Sequence, residues 1–93
     1  MFVLHVMIQM KDGGGPAAEK VFSGPFTAAI STQQGFVGVQ LLRPDDGGDY
    51  VLSIAFESRP LQQKWVATDI HQTVWTQMEQ HFKSYALKTF ASV

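Results

Sequence analysis

The chain contains no cysteine, which excludes a disulfide framework, a thiolate nucleophile and any metal site built on cysteine ligands. Charge is also scarce, because seven Lys and Arg nearly balance eight Asp and Glu and no basic run occurs. A phosphate-backbone binder needs a concentrated positive surface, so nucleic acid is not an expected partner. The three histidines are widely spaced and match no metal-binding pattern, so no metal is expected.

Long apolar runs are missing as well. None of the apolar stretches is long enough to span a bilayer, so no membrane segment is predicted. The amino terminus, MFVLHVMIQMK, lacks both a basic leader and a small-residue cleavage site. The expectation is a soluble cytoplasmic protein.

Apolar residues are plentiful: they make up 45% of the chain and include seven Phe and two Trp. At 93 residues the chain is expected to form one domain over residues 1–93. A domain of this size buries only roughly 60 to 65% of the surface that its unfolded chain exposes. The apolar surplus therefore indicates a subunit interface, a ligand cavity or both.

Runs of β-branched and aromatic residues predict four strands, at Phe2–Met10, Phe36–Leu42, Tyr50–Phe56 and Tyr85–Val93. Helical spacing and capping signals predict helices at Ala17–Gln34, from Ser58 to about Val66, and from a cap at Asp69 to about Lys83. Pro25 is expected to kink or split the first helix, since it lacks an amide donor. The three glycines before that helix are interpreted as a flexible turn.

This order predicts an α+β, ferredoxin-like βαββαβ fold with a four-stranded antiparallel sheet. Helices cover one face of such a sheet and leave the other face bare. In so short a chain a second copy is the simplest cover, which predicts a two-fold homodimer joined through the sheet.

The segment KWVATDIHQTVW, residues 64–75, concentrates the aromatic side chains at the junction of the last two helices. Helical spacing aligns a stripe of five residues: His71, Val74, Trp75, Met78 and Phe82. Spacing alone favours a core role for this stripe. His71, however, lies in a first helical turn, where the helix dipole disfavours imidazolium and leaves a neutral base. Trp65 can line the same concavity if the two helices meet at an angle.

Strand alternation places His5 on the face of the first strand that mixes polar and apolar residues. From there it can enter a pocket beneath the helices or the dimer interface, and a purely structural histidine is an equal alternative. His81 is assigned no role, because a histidine at a helix end simply complements the dipole.

Several of these residues resemble the antibiotic-biosynthesis monooxygenase family of dimeric α+β barrels. The resemblance rests on Gly35-Phe36 entering a strand, Tyr50-Val51-Leu52, the strand exit Phe56-Glu57-Ser58, and Trp65, Thr68-Asp69 and His71 in the helical segment. It covers about residues 3–82. Phe56 departs from the tryptophan that the family usually carries at the strand exit.

The resemblance implies a monooxygenase that oxidises phenolic or quinol-type aromatic substrates with dioxygen and needs no flavin, haem or metal. By this resemblance, Trp65 and Trp75 supply stacking faces, and Phe36, Phe56 and Met78 supply a dry wall. His71 or His5 supplies the base. A haem-degrading branch of the superfamily places its iron-ligating histidine ten residues after the helix tryptophan, a position that is Trp75 here, so haem chemistry is not expected.

Two other functions stay open at this point. The chain can be a dimeric barrel that binds a small aromatic ligand without chemistry, which the shortage of polar residues on the expected pocket face favours. It can also be purely structural, in which case the aromatic stripe is core and no cavity separates the sheet from the helices.

Overall fold

A computed structural model describes residues 1–93. The four strands are β1 Phe2–Met10, β2 Phe36–Leu42, β3 Tyr50–Phe56 and β4 Phe82–Ala91. The helices are α1 Gly14–Val21, α2 Thr27–Ile30, α3 Arg59–Val66 and α4 Asp69–Glu79, and a π-helical turn, Phe22–Phe26, joins α1 to α2. The predicted ferredoxin-like order of strands and helices is confirmed. None of the helices is long and apolar enough to cross a membrane.

The sheet has the strand order β2-β3-β1-β4, and every neighbouring pair is antiparallel. In this register Val6 lies opposite Leu52 on one side and Leu87 on the other. His5 lies opposite Ser53 and Lys88. Because side chains alternate along a strand, the Val6 row and the His5 row point to opposite faces of the sheet.

The core lies between the sheet and the helices. Its twelve buried residues are Val6, Ile8, Ala18, Phe26, Ile30, Leu52, Ile54, Phe56, Trp65, Val74, Met78 and Phe82. They come from three strands, from the π turn and from all four helices, so the Val6 face of the sheet is the helix-covered face. Trp65 is the largest side chain that is fully buried.

The first helix begins three residues earlier than predicted and ends at Ile30, not at Gln34. Gly14 and Gly15 are buried helical residues, so their interpretation as a flexible turn was wrong. A Cβ on Gly14 would lie 2.5 Å from the carbonyl oxygen of His81, and one on Gly15 would lie 2.7 Å from the hydroxyl of Tyr50. These glycines are needed because α1 packs closely on the first residue of β3 and on the turn before β4.

The predicted break in this helix is confirmed. Gly24 leaves the helical region, with φ −103° and ψ −105°, immediately before Pro25. Wider π-type hydrogen bonding accommodates the residue that cannot donate an amide. The hydroxyl of Thr27 donates to the carbonyl oxygen of Phe22 at 2.6 Å and closes the turn.

The α3 start is confirmed, because the Ser58 hydroxyl accepts from the Leu61 amide. The cap of α4 is Thr68, and Asp69 is the first helical residue, so the predicted Asp69 cap was wrong by one position. This helix ends at Glu79, four residues before Lys83, and the last strand begins at Phe82, three residues before Tyr85. Phe82 is buried, but it reaches the core from β4.

Candidate active site

A cavity of about 230 Å³ lies between the sheet and the α3–α4 pair. Nine of its eleven lining residues are hydrophobic and none carries a formal charge. The lining residues are Leu4, Val6, Phe26, Ile54, Gln62, Trp65, Val66, His71, Trp75, Tyr85 and Leu87. Three larger depressions, of about 570, 540 and 400 Å³, are more open, and at most half of the residues that line each are hydrophobic. The smaller cavity is therefore the one suited to a water-poor reaction.

The imidazole of His71 lies against both indoles. Its ring meets Trp65 edge to face, with centroids 4.9 Å apart and planes at 90°. Its plane is nearly parallel to that of Trp75, at 7°, with centroids 6.1 Å apart. The three rings form one continuous aromatic wall. The dense stretch of aromatic residues at 64–75 thus builds one side of the cavity.

His71 is half-buried, and its Nδ1 atom is enclosed without a hydrogen-bond partner. Burial lowers the pKa of the His71 imidazole, because the charged form loses its hydration. The ring is therefore neutral at physiological pH, and its other nitrogen, Nε2, is not enclosed. Such a ring can accept a proton from a bound hydroxyl compound.

The position of His71 is set by the junction between α3 and α4. The Thr68 hydroxyl donates to the carbonyl oxygen of Trp65 at 2.7 Å and accepts from the His71 amide at 3.1 Å. One hydroxyl thus ends α3, begins α4 and connects the two residues whose rings touch. The Trp–Thr–His spacing of the sequence has a local structural cause.

Two further aromatic side chains extend this aromatic wall. Trp65 meets Phe26 edge to face, with centroids 6.1 Å apart. Trp75 meets Tyr85 in the same way at 5.5 Å. Burial and the nearby Glu79 carboxylate raise the pKa of the Tyr85 phenol, so this group stays protonated.

The sequence pattern of a known family covers most of this structure. The profile described as antibiotic biosynthesis monooxygenase matches residues 1–77, which include β1 to β3, α3 and the three-ring wall of α3 and α4. The chain belongs to the antibiotic biosynthesis monooxygenase family. The resemblance found in the sequence is thereby confirmed.

Several solved structures share the fold. A variant of SnoaB from Streptomyces nogalater, described as a cofactor-independent oxygenase, has a TM-score of 0.85 at 18% identity, over 98% of this chain and 91% of its own. A Nitrosomonas europaea protein, provisionally described as an antibiotic biosynthesis monooxygenase, has a TM-score of 0.85 at 17% identity, over 100% and 99%. The Mycobacterium tuberculosis heme-degrader MhuD, with two hemes bound in its active site, has a TM-score of 0.78 at 26% identity, over 100% and 96%. No curated protein matches the chain significantly.

Within this monooxygenase fold, three of the seven residues predicted for the site line the cavity: His71, Trp65 and Trp75. Phe56 and Met78 are fully buried in the core and do not reach the cavity. Phe36 packs edge to face on Phe56, with centroids 6.0 Å apart, and is likewise absent from the lining. The predicted dry wall is therefore core packing next to the cavity, while Phe26, Ile54 and Leu87 supply the wall itself.

His5 does not reach the cavity. It lies on the uncovered face of the sheet, where its ring contacts Phe90 with centroids 4.8 Å apart. Its neighbour Leu4 points the other way and lines the cavity. Of the two histidines predicted for the site, the structure brings only His71 to the two indoles.

Sequence reasoning missed Gln62, which is buried and lines the cavity. Its spacing contained the signal, because residues three apart on a helix share a face and Gln62 precedes Trp65 by three. Tyr85 and Leu87 were missed because the register of β4 against β1 is not visible in the sequence.

Proposed function

We propose that the protein is a cofactor-independent monooxygenase that oxidises neutral phenolic or quinol-type aromatic compounds with dioxygen. The observation that carries this proposal is the neutral imidazole of His71, whose Nε2 atom is not enclosed, held against two indoles in the wall of an apolar cavity. Membership of the monooxygenase family supports it. The description of SnoaB as a cofactor-independent oxygenase supports the same class of chemistry.

In this proposal the Nε2 atom of His71 accepts the proton of a substrate hydroxyl. The resulting phenolate is electron-rich and donates an electron to dioxygen directly. A new C–O bond forms at the ring carbon para to the phenolate and the O–O bond breaks. The ring hydrogen and the phenolic hydrogen leave with the second oxygen atom as water, so a quinone and water are the products. The substrate itself supplies the electrons.

The cavity provides what this reaction needs beyond a base. Trp65 and Trp75 offer faces on which a planar ring stacks, and aromatic contacts favour such offset or edge arrangements. An apolar wall excludes water, which protects the reactive intermediates and keeps the imidazole neutral. No charged side chain lines the cavity, so a neutral substrate fits better than an anionic one.

We further propose that two copies of the chain form a homodimer through the uncovered sheet face and β4. On β4, Phe90 is 40% exposed on the uncovered face, while Leu87, 60% exposed, and Tyr85, 43% exposed, lie on the cavity side of the same strand. This is much apolar surface for one strand to leave in water. Two copies related by two-fold symmetry would each cover the β4 strand of the other. Light scattering of the purified protein measures this state directly.

Haem degradation, the activity named for MhuD, does not fit the residues of this chain. The position ten residues after Trp65 is Trp75, and an indole has no atom that ligates iron. His71 stands four residues before that position, and its ring lies beside the Trp75 indole with centroids 6.1 Å apart. A cavity of about 230 Å³ is also far smaller than a porphyrin requires.

The test is oxygen uptake by the purified protein with dihydroxynaphthalene and anthrone-type compounds in the absence of added metal. The expected result is quinone formation that falls at least roughly a hundredfold in His71→Ala, the usual contribution of a general base. His81→Ala is the matched control, since His81 lies in the turn before β4 and should leave the rate unchanged. Equal rates in the wild type and His71→Ala contradict the proposal. Tight binding of compounds that are recovered unchanged selects the alternative of a non-catalytic binding protein.

A further inference from the structure

Gln62 is the one buried polar residue of the molecule. It is 8% exposed and belongs to α3, where its backbone amide continues the helix by donating to the carbonyl oxygen of Ser58. Trp65 and Val66, three and four residues later, share its helix face and also line the cavity. The amide of Gln62 is therefore part of the cavity wall.

The side-chain amide of Gln62 forms no hydrogen bond with any protein group. The polar atoms of this side chain are nevertheless reachable. The only side-chain polar atom that is both fully enclosed and without a partner is Nδ1 of His71, so the unpaired oxygen and nitrogen of Gln62 are not fully enclosed. Buried polar groups in proteins are almost always paired, so an unpaired amide open to a cavity points to a partner inside the cavity.

We infer that Gln62 selects the substrate: its amide binds a second oxygen of an aromatic compound whose reacting ring lies against His71 and the two indoles. This inference rests on the proposed function and names its substrate class, a neutral ring system that carries at least two oxygen substituents. A primary amide both donates and accepts, so it pairs with a hydroxyl or with a carbonyl oxygen.

The other lining groups do not provide this recognition. The walls that come from β1, β3 and the π turn are apolar. The Tyr85 phenol belongs to an exposed residue and has the Glu79 carboxylate as a neighbour outside the lining. Without a charged group in the lining, a carboxylate or phosphate substituent would be buried unpaired. Besides the indole N–H groups and the Tyr85 hydroxyl, the lining contributes the imidazole of His71 and the side-chain amide of Gln62, and both favour uncharged oxygen.

The experiment is equilibrium binding without oxygen, followed by quenching of the tryptophan fluorescence of the full chain. The probes are 1-naphthol, which has one oxygen, and 1,5-dihydroxynaphthalene, which has two. The wild type should bind the dihydroxy compound about five- to tenfold more tightly, the usual worth of one neutral hydrogen bond. Gln62→Leu should lose this preference and bind 1-naphthol at least as well as the wild type does. Gln62→Met, unbranched and of similar length, is the second variant in case the leucine does not pack.

Gln63→Leu is the matched control, because Gln63 is the exposed neighbour on the same helix and should keep the wild-type preference. A preference that survives in Gln62→Leu or Gln62→Met, or that is missing in the wild type, overturns the inference. Repeating the series in air separates the two proposals. Selective binding without oxygen uptake refutes the oxygenase and keeps the role of Gln62, whereas oxidation to 5-hydroxy-1,4-naphthoquinone at equal selectivity in all variants refutes only the role of Gln62.

Discussion

The edge-to-face contact between Trp65 and His71, with ring centroids 4.9 Å apart, connects the hydrophobic core to the candidate active site. Trp65 is 1% exposed and belongs to the core, whereas His71 is half-buried at the cavity. The same indole thus stabilises the fold and forms the wall on which the imidazole rests. Stability and site geometry are therefore coupled through one residue.

Replacing Trp65 by alanine should lower the free energy of unfolding by about 3 to 5 kcal/mol, the usual range for removing a buried aromatic side chain. Trp75→Ala should lower it by clearly less, because Trp75 is only half-buried. Urea denaturation followed by far-ultraviolet circular dichroism measures both values. Equal losses of unfolding free energy in the two variants would contradict the assignment of Trp65, and not Trp75, to the core.

The Thr68 hydroxyl caps α4 and joins it to the end of α3, so Thr68→Val should lower the free energy of unfolding by about 1 kcal/mol. Thr68→Ser keeps the hydroxyl and should restore most of this loss. Thr73→Val is the control, because its exposed hydroxyl contacts only the carbonyl oxygen of Asp69 within the same helix. If valine disturbs the near-ultraviolet dichroism of the tryptophans no more at 68 than at 73, Thr68 does not position the aromatic wall.

Burial lowers the pKa of His71, so the folded protein holds this proton less tightly than the unfolded chain does. The neutral imidazole contributes stability that is fully present above the unfolded value of about 6.5 and is lost as the pH falls from there through the lowered folded pKa. In His71→Gln this part of the pH dependence should vanish. Proton NMR titration of the imidazole, combined with unfolding at a series of pH values, measures both effects. A His71 pKa at or above 6.5 contradicts the neutral-base proposal.

A second ionisable cluster lies at the other end of the molecule. The Glu19 carboxylate accepts from the Arg43 guanidinium and from the Tyr50 hydroxyl, which joins α1 to β3 and to the loop after β2. These bonds lower the pKa of Glu19 to about 2. The group therefore stabilises the fold above the unfolded value of about 4.3 and loses this contribution as the pH falls towards 2.

Glu19→Gln should thus be less stable than the wild type at pH 6 but indistinguishable from it near pH 2. Glu57→Gln provides the comparison, because Glu57 is an exposed acid at the opposite end of β3 from Tyr50. Unfolding by urea at both pH values gives the difference. A Glu19→Gln deficit that is the same at pH 6 and pH 2 would refute an ionic contribution.

Local patterns predicted most of this fold because the decisive interactions are themselves local. The strands of the hairpin, the Ser58 cap and the break at Pro25 depend on residues within a few positions of each other. Errors arose where distant contacts decide the structure. Gly14 and Gly15 lie in α1 where a side chain would collide with His81 and Tyr50, which are far away in sequence.

The candidate site divides in the same way. His71 and the two indoles were predicted together because they share one helical junction and a stripe spacing. Phe56 and Met78 fit the same apolar patterns, yet a pattern cannot separate a residue that packs in the core from one that faces a cavity. His5 illustrates the remaining limit, since alternation assigns it to a face but does not say which face the helices cover.

The proposed dimer gives the last prediction. Phe90 lies on the uncovered sheet face beside His5, is 40% exposed and has the ammonium group of Lys88 5.4 Å from its ring centroid. A second copy that packs on this face would bury Phe90, so Phe90→Glu should place a desolvated charge in the interface and convert the dimer to a monomer. Gln63→Glu carries the same new charge at an exposed position of α3, away from this face, and measures the effect of charge alone. Light scattering that finds a monomeric wild type, or a Phe90→Glu variant that remains dimeric, contradicts an interface centred on β4.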